Sequence, residues 1–308
     1  MGIACALLCG AAAAHADAPG DAWAAAKGVI APNPWVVMGL NLTALKGSSL
    51  FQQLFPQLLA QAGTAQEGLD RVKATCDIDV VAVVQGGVVA LDETQKGAIY
   101  LSTKGMNSAK VGECLTKLAA KEEPAKKVTA SKPDAQGIVE YTVQGDAQQH
   151  LYVAFLGKGV LVIATDALDK PALQKWLSGK GASAGTPTAR ALGSVNTGAP
   201  FWMVIAQEKS LAPDVNATMK VIYGHADLAA GNINGDFRVL VGSAKEATDL
   251  SAYAQKQLDE VKKSGSLPPQ AITLMQSVRI ANAGDELQLK ASMPEKEALT
   301  FLAAAMGH

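Results

Sequence analysis

Hydrophobic positions along this chain change period several times, and each change marks a predicted element. Residues 35–42 form an apolar, β-rich run directly after Pro34. Ser48 or Ser49 can cap a helix in which Leu50, Phe51, Leu54, Leu58 and Leu59 recur at helical spacing. Pro56 falls inside it and is expected to kink or split it. A second helix, about residues 66–74, turns Leu69 and Val72 to one side and ends near Cys76. Residues 80–84 and 88–91 read as strands turning at Gln85-Gly86-Gly87, with a third strand at 98–102. The helix at 108–121 places Val111, Leu115 and Leu118 on one stripe, with Cys114 beside them. Strands at 138–143, 151–155 and 160–165 follow, with turns at Gly145-Asp146 and Gly157-Lys158-Gly159. A short helix with Pro171 in its first turn carries Leu173, Trp176 and Leu177.

Residues 178–189 are rich in Gly, Ser, Ala and Thr, the composition of a linker or long loop. The pattern then resumes. Residues 200–206 open like 34–38, each with an aromatic beside Pro and then β-branched residues. Helical stretches are expected after Ser210, up to Asp227, followed by a strand pair turning at Asn234-Gly235. The run 239–243 and the helix bearing Leu250, Ala254, Leu258 and Val261 echo 99–103 and its helix. Residues 287–294 lead into a helix with Leu299, Leu302, Ala303 and Met306, echoing 160–165 and the Trp176 helix. Ser292 and Glu295 have capping-box spacing. These echoes predict an α+β fold of two related halves, a diverged internal duplication. Antiparallel or mixed sheets would carry helices packed on one face. The expected layout is a signal peptide at 1–16, an extension at 17–33, a first half at 34–178, a junction at 179–199 and a second half at 200–308.

Composition narrows the class. The 308 residues are 49% hydrophobic and 18% charged, too apolar for a disordered chain. With 27 basic and 28 acidic residues the net charge is −1, and both sides of Gly181 are balanced. Such a chain offers no electrostatic footprint for nucleic acid. Beyond the N-terminus no apolar run reaches the roughly 18 uncharged residues that a bilayer span requires.

Residues 3–14 are uncharged and end in Ala14-His15-Ala16, followed by the polar Asp17. That is the apolar region and small-x-small cleavage site of a secretory signal, lacking only a basic residue near Met1. A buried Ala-rich helix is the alternative, and a lipoprotein reading would need a small residue where Leu8 precedes Cys9. Cleavage after Ala16 leaves Cys76 and Cys114, expected to form a disulfide in a periplasmic or extracellular protein. Two buried thiols are the other possibility.

Gly181-Ala182-Ser183-Ala184-Gly185 matches a nucleophile elbow in letters, but it has no strand before it. His150 and His225 are isolated, and His308 is the last residue given. Asn232-x-Asn234-x-Asp236 alternates oxygen ligands without the acidic loop that a calcium site needs. Asp77-x-Asp79 reads as a helix-to-strand turn, with Asp227 in a comparable place later in the chain. No phosphate-cradling glycine loop occurs, so no cofactor is expected. Trp35, Phe201 and Trp202 read as core rather than a ligand wall. The expected function is a non-enzymatic binding or structural protein of the bacterial envelope, whose partner is a protein or an apolar ligand. An apolar-ligand carrier and a hydrolase with an unrecognised site are the alternatives. Any partner or ligand is expected to contact both halves near 179–199, held by apolar contact and depending only weakly on salt.

Overall fold

A computed structural model describes residues 19–61, 63–122, 128–143, 149–157, 159–165, 167–212, 215–264 and 269–306. The signal at 1–16, the turn at Gly145-Asp146 and His308 lie outside the described residues. The chain divides into two units. The first falls within Met1–Pro32, Gly39–Thr43 and Leu59–Ala182, the second within Asn33–Met38, Ala44–Leu58 and Ser183–His308. Neither is a single stretch: residues 44–58, read above as part of the first half, group with the second unit. One reason is visible at the helix Ser49–Gln61, where the Leu50 N–H donates to Glu295 Oε1 at 2.7 Å. That helix continues through Pro56, so the proline does not split it. Ser48 caps it, its Oγ accepting from the Phe51 N–H.

The apolar run after Pro34 forms the strand β1 (Val36–Leu40), and in the first unit six antiparallel strands run in the order β2 (Val84–Leu91), β3 (Gly97–Thr103), β7 (Val160–Ala164), β6 (Gln149–Leu156), β5 (Val139–Val143) and β4 (Val128–Ala130). The expected turn at Gly86-Gly87 does not form. Val80–Val83 is a short helix, and β2 runs unbroken through both glycines with alternating burial. Register shifts between Val84 and Gly86, and a side chain at Gly87 would press on Leu101 and the Tyr100 carbonyl. The glycines serve a bulge and a close backbone approach, the other roles of glycine inside a strand. The hairpin turns instead at residues 92–96, where Asp92 Oδ1 accepts from the Thr94 and Lys96 N–H groups.

Helices cover both faces of this sheet rather than one. Val160, Leu161 and Val162 are all buried, so β7 is apolar on both sides and needs cover on both. On one side Val111 and Leu115 of the helix Ser108–Glu122 pack with Val139, Tyr141, Val153 and Leu161. On the other lies the segment read as an extension. Ala22 and Ala26 of the helix Pro19–Ala26 are fully buried, and the Tyr100 hydroxyl donates to the Val29 carbonyl at 2.9 Å.

The second unit orders its strands β8 (Phe201–Ala212), β9 (Val215–Ala229), β10 (Asn232–Val241), β12 (Glu286–Pro294) and β11 (Arg279–Ala283), all antiparallel. The helices expected after Ser210 are strand: β8 and β9 make a long hairpin. Val215, Ala217 and Met219, one side of a period-two run, are buried there. The β9–β10 turn is Ala230-Gly231, both at positive φ (52° and 76°), as a two-residue hairpin requires. Asn234 and Gly235 sit inside β10. The helix Ala244–Ser264 packs Ala247 and Leu250 on Met219, Val239, Val241 and Leu287. Ser292 and Glu295 form no capping box, because Ser292 is still strand and its Oγ donates to Asn234 Oδ1.

The junction read as a linker is largely folded. Thr186 caps a helix, Pro187–Ser194, whose Ala191 and Leu192 are buried. No helix among the described residues is long and apolar enough to cross a membrane.

Candidate functional site

Each unit holds a pocket, and the two differ in chemistry. In the first, a cavity of about 300 Å³ is lined in part by the disulfide-bonded Cys76 and Cys114. Cys76 ends the helix Thr64–Cys76 and Cys114 lies within the helix Ser108–Glu122; their Cα atoms are 5.0 Å apart. The cavity lining also includes Lys104, Lys110, Lys117, Asp77 and Glu113. Two of these lysines are engaged: Lys110 Nζ donates to the Gly105 carbonyl, and Lys117 pairs with Glu113 at 2.7 Å. Asp77 takes the left-handed conformation that closes its helix, and Asp79 caps the next one by accepting from the Ala82 N–H. The Lys73 ammonium, 2.8 Å away, helps hold the Asp79 carboxyl below its usual range. Both aspartates thus serve the turn.

In the second unit, alternating charges run in a chain across the sheet. Arg190, on the helix Pro187–Ser194, grips Asp285 with two hydrogen bonds of 2.8 and 2.7 Å. The same guanidinium donates to Glu286 Oε1 at 2.9 Å. Glu286 Oε2 receives Arg238 at 3.4 Å, Arg238 approaches Asp236 at 3.5 Å, and Asp236 meets Lys290 at 3.2 Å. Glu286 is buried, so it relies on both arginines for compensation. Hydrogen bonding by Arg190 keeps the Asp285 carboxyl low, and Asp285 in turn raises the guanidinium. Beneath Arg238 lies Tyr223, whose hydroxyl is pushed up to about 12, first by burial and then by Glu286.

Beside this chain opens a pocket of about 580 Å³, lined by residues 184–187, Ala189, Arg190, Lys220, Leu240, Val241 and Asp285. A strand irregularity aims Lys220 there. Leu240 pairs with Val221 but Val241 pairs with Met219, leaving Lys220 as an extra residue on β9. Half-buried, its ammonium makes no hydrogen bond or ion pair among the described residues. The neighbouring Glu246 carboxylate is occupied by the Thr218 and Gly242 N–H groups and the Ser243 hydroxyl.

The other residues singled out in the sequence are placed separately. Ser183 follows bends rather than a strand, and its carbonyl accepts the Thr186 hydroxyl. His150 meets Glu140 at 2.8 Å on neighbouring strands, and His225 meets Asp227 at 3.3 Å within β9. Asp227 therefore lies within β9, near its end, and does not correspond to Asp77. Asn232 Nδ2 donates to the Ala230 carbonyl, Asn234 accepts from Ser292, and Asp236 belongs to the charge chain. No group of three or more metal-ligating side chains occurs among the described residues. Trp202 is fully buried in the core, while Trp35 and Phe201 are half-buried. Sequence reasoning missed Arg190, Lys220, Asp285 and Glu286 altogether.

No protein-family model matches the chain, and no curated protein is significantly similar to it. Solved structures do resemble it. Crystal form III of TP0453 superposes with a TM-score of 0.50 at 10% identity, over 90% of this chain and 97% of that one. Crystal form IV of TP0453 gives a TM-score of 0.50 at 8% identity, over 92% and 99%. At such identities the likeness speaks for the α+β fold alone.

Proposed function

We propose that this chain is an exported protein of the bacterial cell envelope that works by binding rather than by catalysis. The observation that carries the binding role is the open pocket beside Lys220, with a cation left unmatched in its wall. Export is supported separately by the Cys76–Cys114 bond, which suits an oxidising compartment. We also infer a shared origin for the two units. The orders β2-β3-β7-β6 and β9-β10-β12-β11 match, each with a hairpin, a long helix and a strand returning beside the hairpin's second member.

Fractionation with N-terminal sequencing tests export: the mature chain should begin at Asp17 in the envelope fraction and titrate no free thiol when denatured unreduced. Cytoplasmic protein that keeps residues 1–16 would overturn export. Ser183→Ala should leave every measured property unchanged, whereas loss of a hydrolytic activity on that change would overturn the non-catalytic role.

A further inference from the structure

We propose that the pocket of the second unit takes a singly charged organic anion with a short aliphatic body, such as a carboxylate, and that Lys220 is its principal anchor. The inference rests on the binding role above and specifies its ligand. Three ionised side chains line the pocket: Arg190, Lys220 and Asp285. Asp285 is spoken for by the bidentate Arg190, and Glu286 divides its two oxygens between Arg190 and Arg238. Lys220 contributes only a minor lowering of the Asp285 and Glu246 carboxyls and pairs with neither. The lining therefore sums to one positive charge, which one negative charge would balance. A half-buried ammonium is poorly solvated and gains from a charge-assisted hydrogen bond.

The rest of the wall sets the body of the ligand. Pro187, Leu240 and Val241 supply apolar surface next to the charges, and about 580 Å³ lies within the usual range for a small-molecule site. A dianion would leave an uncompensated negative charge near Asp285. A neutral alcohol would leave Lys220 unpaired.

Calorimetric titration of the full mature chain with hexanoate, 1-hexanol and inorganic phosphate tests this. Hexanoate should bind at one site per chain and more tightly than the other two. Lys220→Met should weaken hexanoate by at least about tenfold, the loss of one charged hydrogen bond, and Lys220→Arg should restore most of the affinity. Melting temperatures should stay close to the parent, which separates lost binding from lost folding. Equal binding of 1-hexanol, tighter binding of phosphate, no binding of hexanoate, or no effect of Lys220→Met would each overturn the assignment. None of these outcomes bears on export or on Ser183, so failure here is distinguishable from failure of the wider reading.

Discussion

The two units fasten helices in opposite ways. In the first, a covalent bond joins the helix Thr64–Cys76 to the helix Ser108–Glu122. In the second, one guanidinium fastens the helix Pro187–Ser194 to the start of β12 through Asp285 and Glu286. A disulfide acts mainly by restricting the unfolded chain, so it is indifferent to ionic strength and to carboxylate protonation. An ionic clasp acts in the folded state, and it matters most where one member is buried. Similar topologies can therefore be held by fastenings that answer to different solution conditions.

The largest test breaks the covalent side. Replacing Cys76 and Cys114 by Ser should cost about 3–4 kcal/mol, as the chain-entropy model gives for a loop of this length. Denaturant unfolding of the variant should show that loss equally at low and high salt.

Next in size is the ionic side. Arg190→Ala leaves buried Glu286 with only the longer contact to Arg238. A loss of about 2 kcal/mol is expected, below the range for a fully buried pair because Arg190 is itself half exposed. Hydrogen exchange should show β12 and the helix Pro187–Ser194 loosening while the first unit keeps its protection.

The smallest effect sharpens the comparison. The Asp285 carboxyl is lowered by its hydrogen bonds with Arg190, and Glu246 by the Thr218 N–H. A lowered carboxyl contributes stability that is complete above its unfolded value near about 4 and disappears as pH falls through the folded value. Acidification below about pH 4 should thus weaken the second unit, and Arg190→Ala should reduce that sensitivity. The disulfide itself should feel no such change, but Asp79, Glu113 and Asp134 of the first unit are lowered as well, so the check is whether Arg190→Ala alters the exchange of the second unit alone across the pH series.

Much of the architecture was legible in hydrophobic period: the helix at Ser108–Glu122, the strands from β5 to β7 and the helix Ala244–Ser264 all lie close to where apolar spacing puts them. Glycine was the chief source of error. Gly86-Gly87 and Asn234-Gly235 carry strong local turn signals, yet both sit within strands whose partners fix the register over a longer span. Ala230-Gly231 looks weaker in isolation and turns the chain because β9 and β10 pair on either side of it. Val215, Ala217 and Met219 alternate at the period of a strand, but the polar residues between them also fit a helix when read without their partner strands. The candidate site was hidden for another reason. Arg190, Lys220 and Asp285 are 30 to 95 residues apart, and a one-residue irregularity decides where Lys220 points. No local pattern encodes that meeting.

A side chain at Gly181 would overlap the carbonyl oxygen of Lys27, so two distant points of the chain touch where the first unit closes. Lys27 lies near the start of that unit and Gly181 one residue before its end. Between these two points the chain leaves the unit twice, at residues 33–38 and 44–58, so the touch ties its N-terminal piece to its last turn. Gly181→Ala should therefore strain that tie, and hydrogen exchange should show the helix Pro19–Ala26 losing protection while β10 and β12 keep theirs.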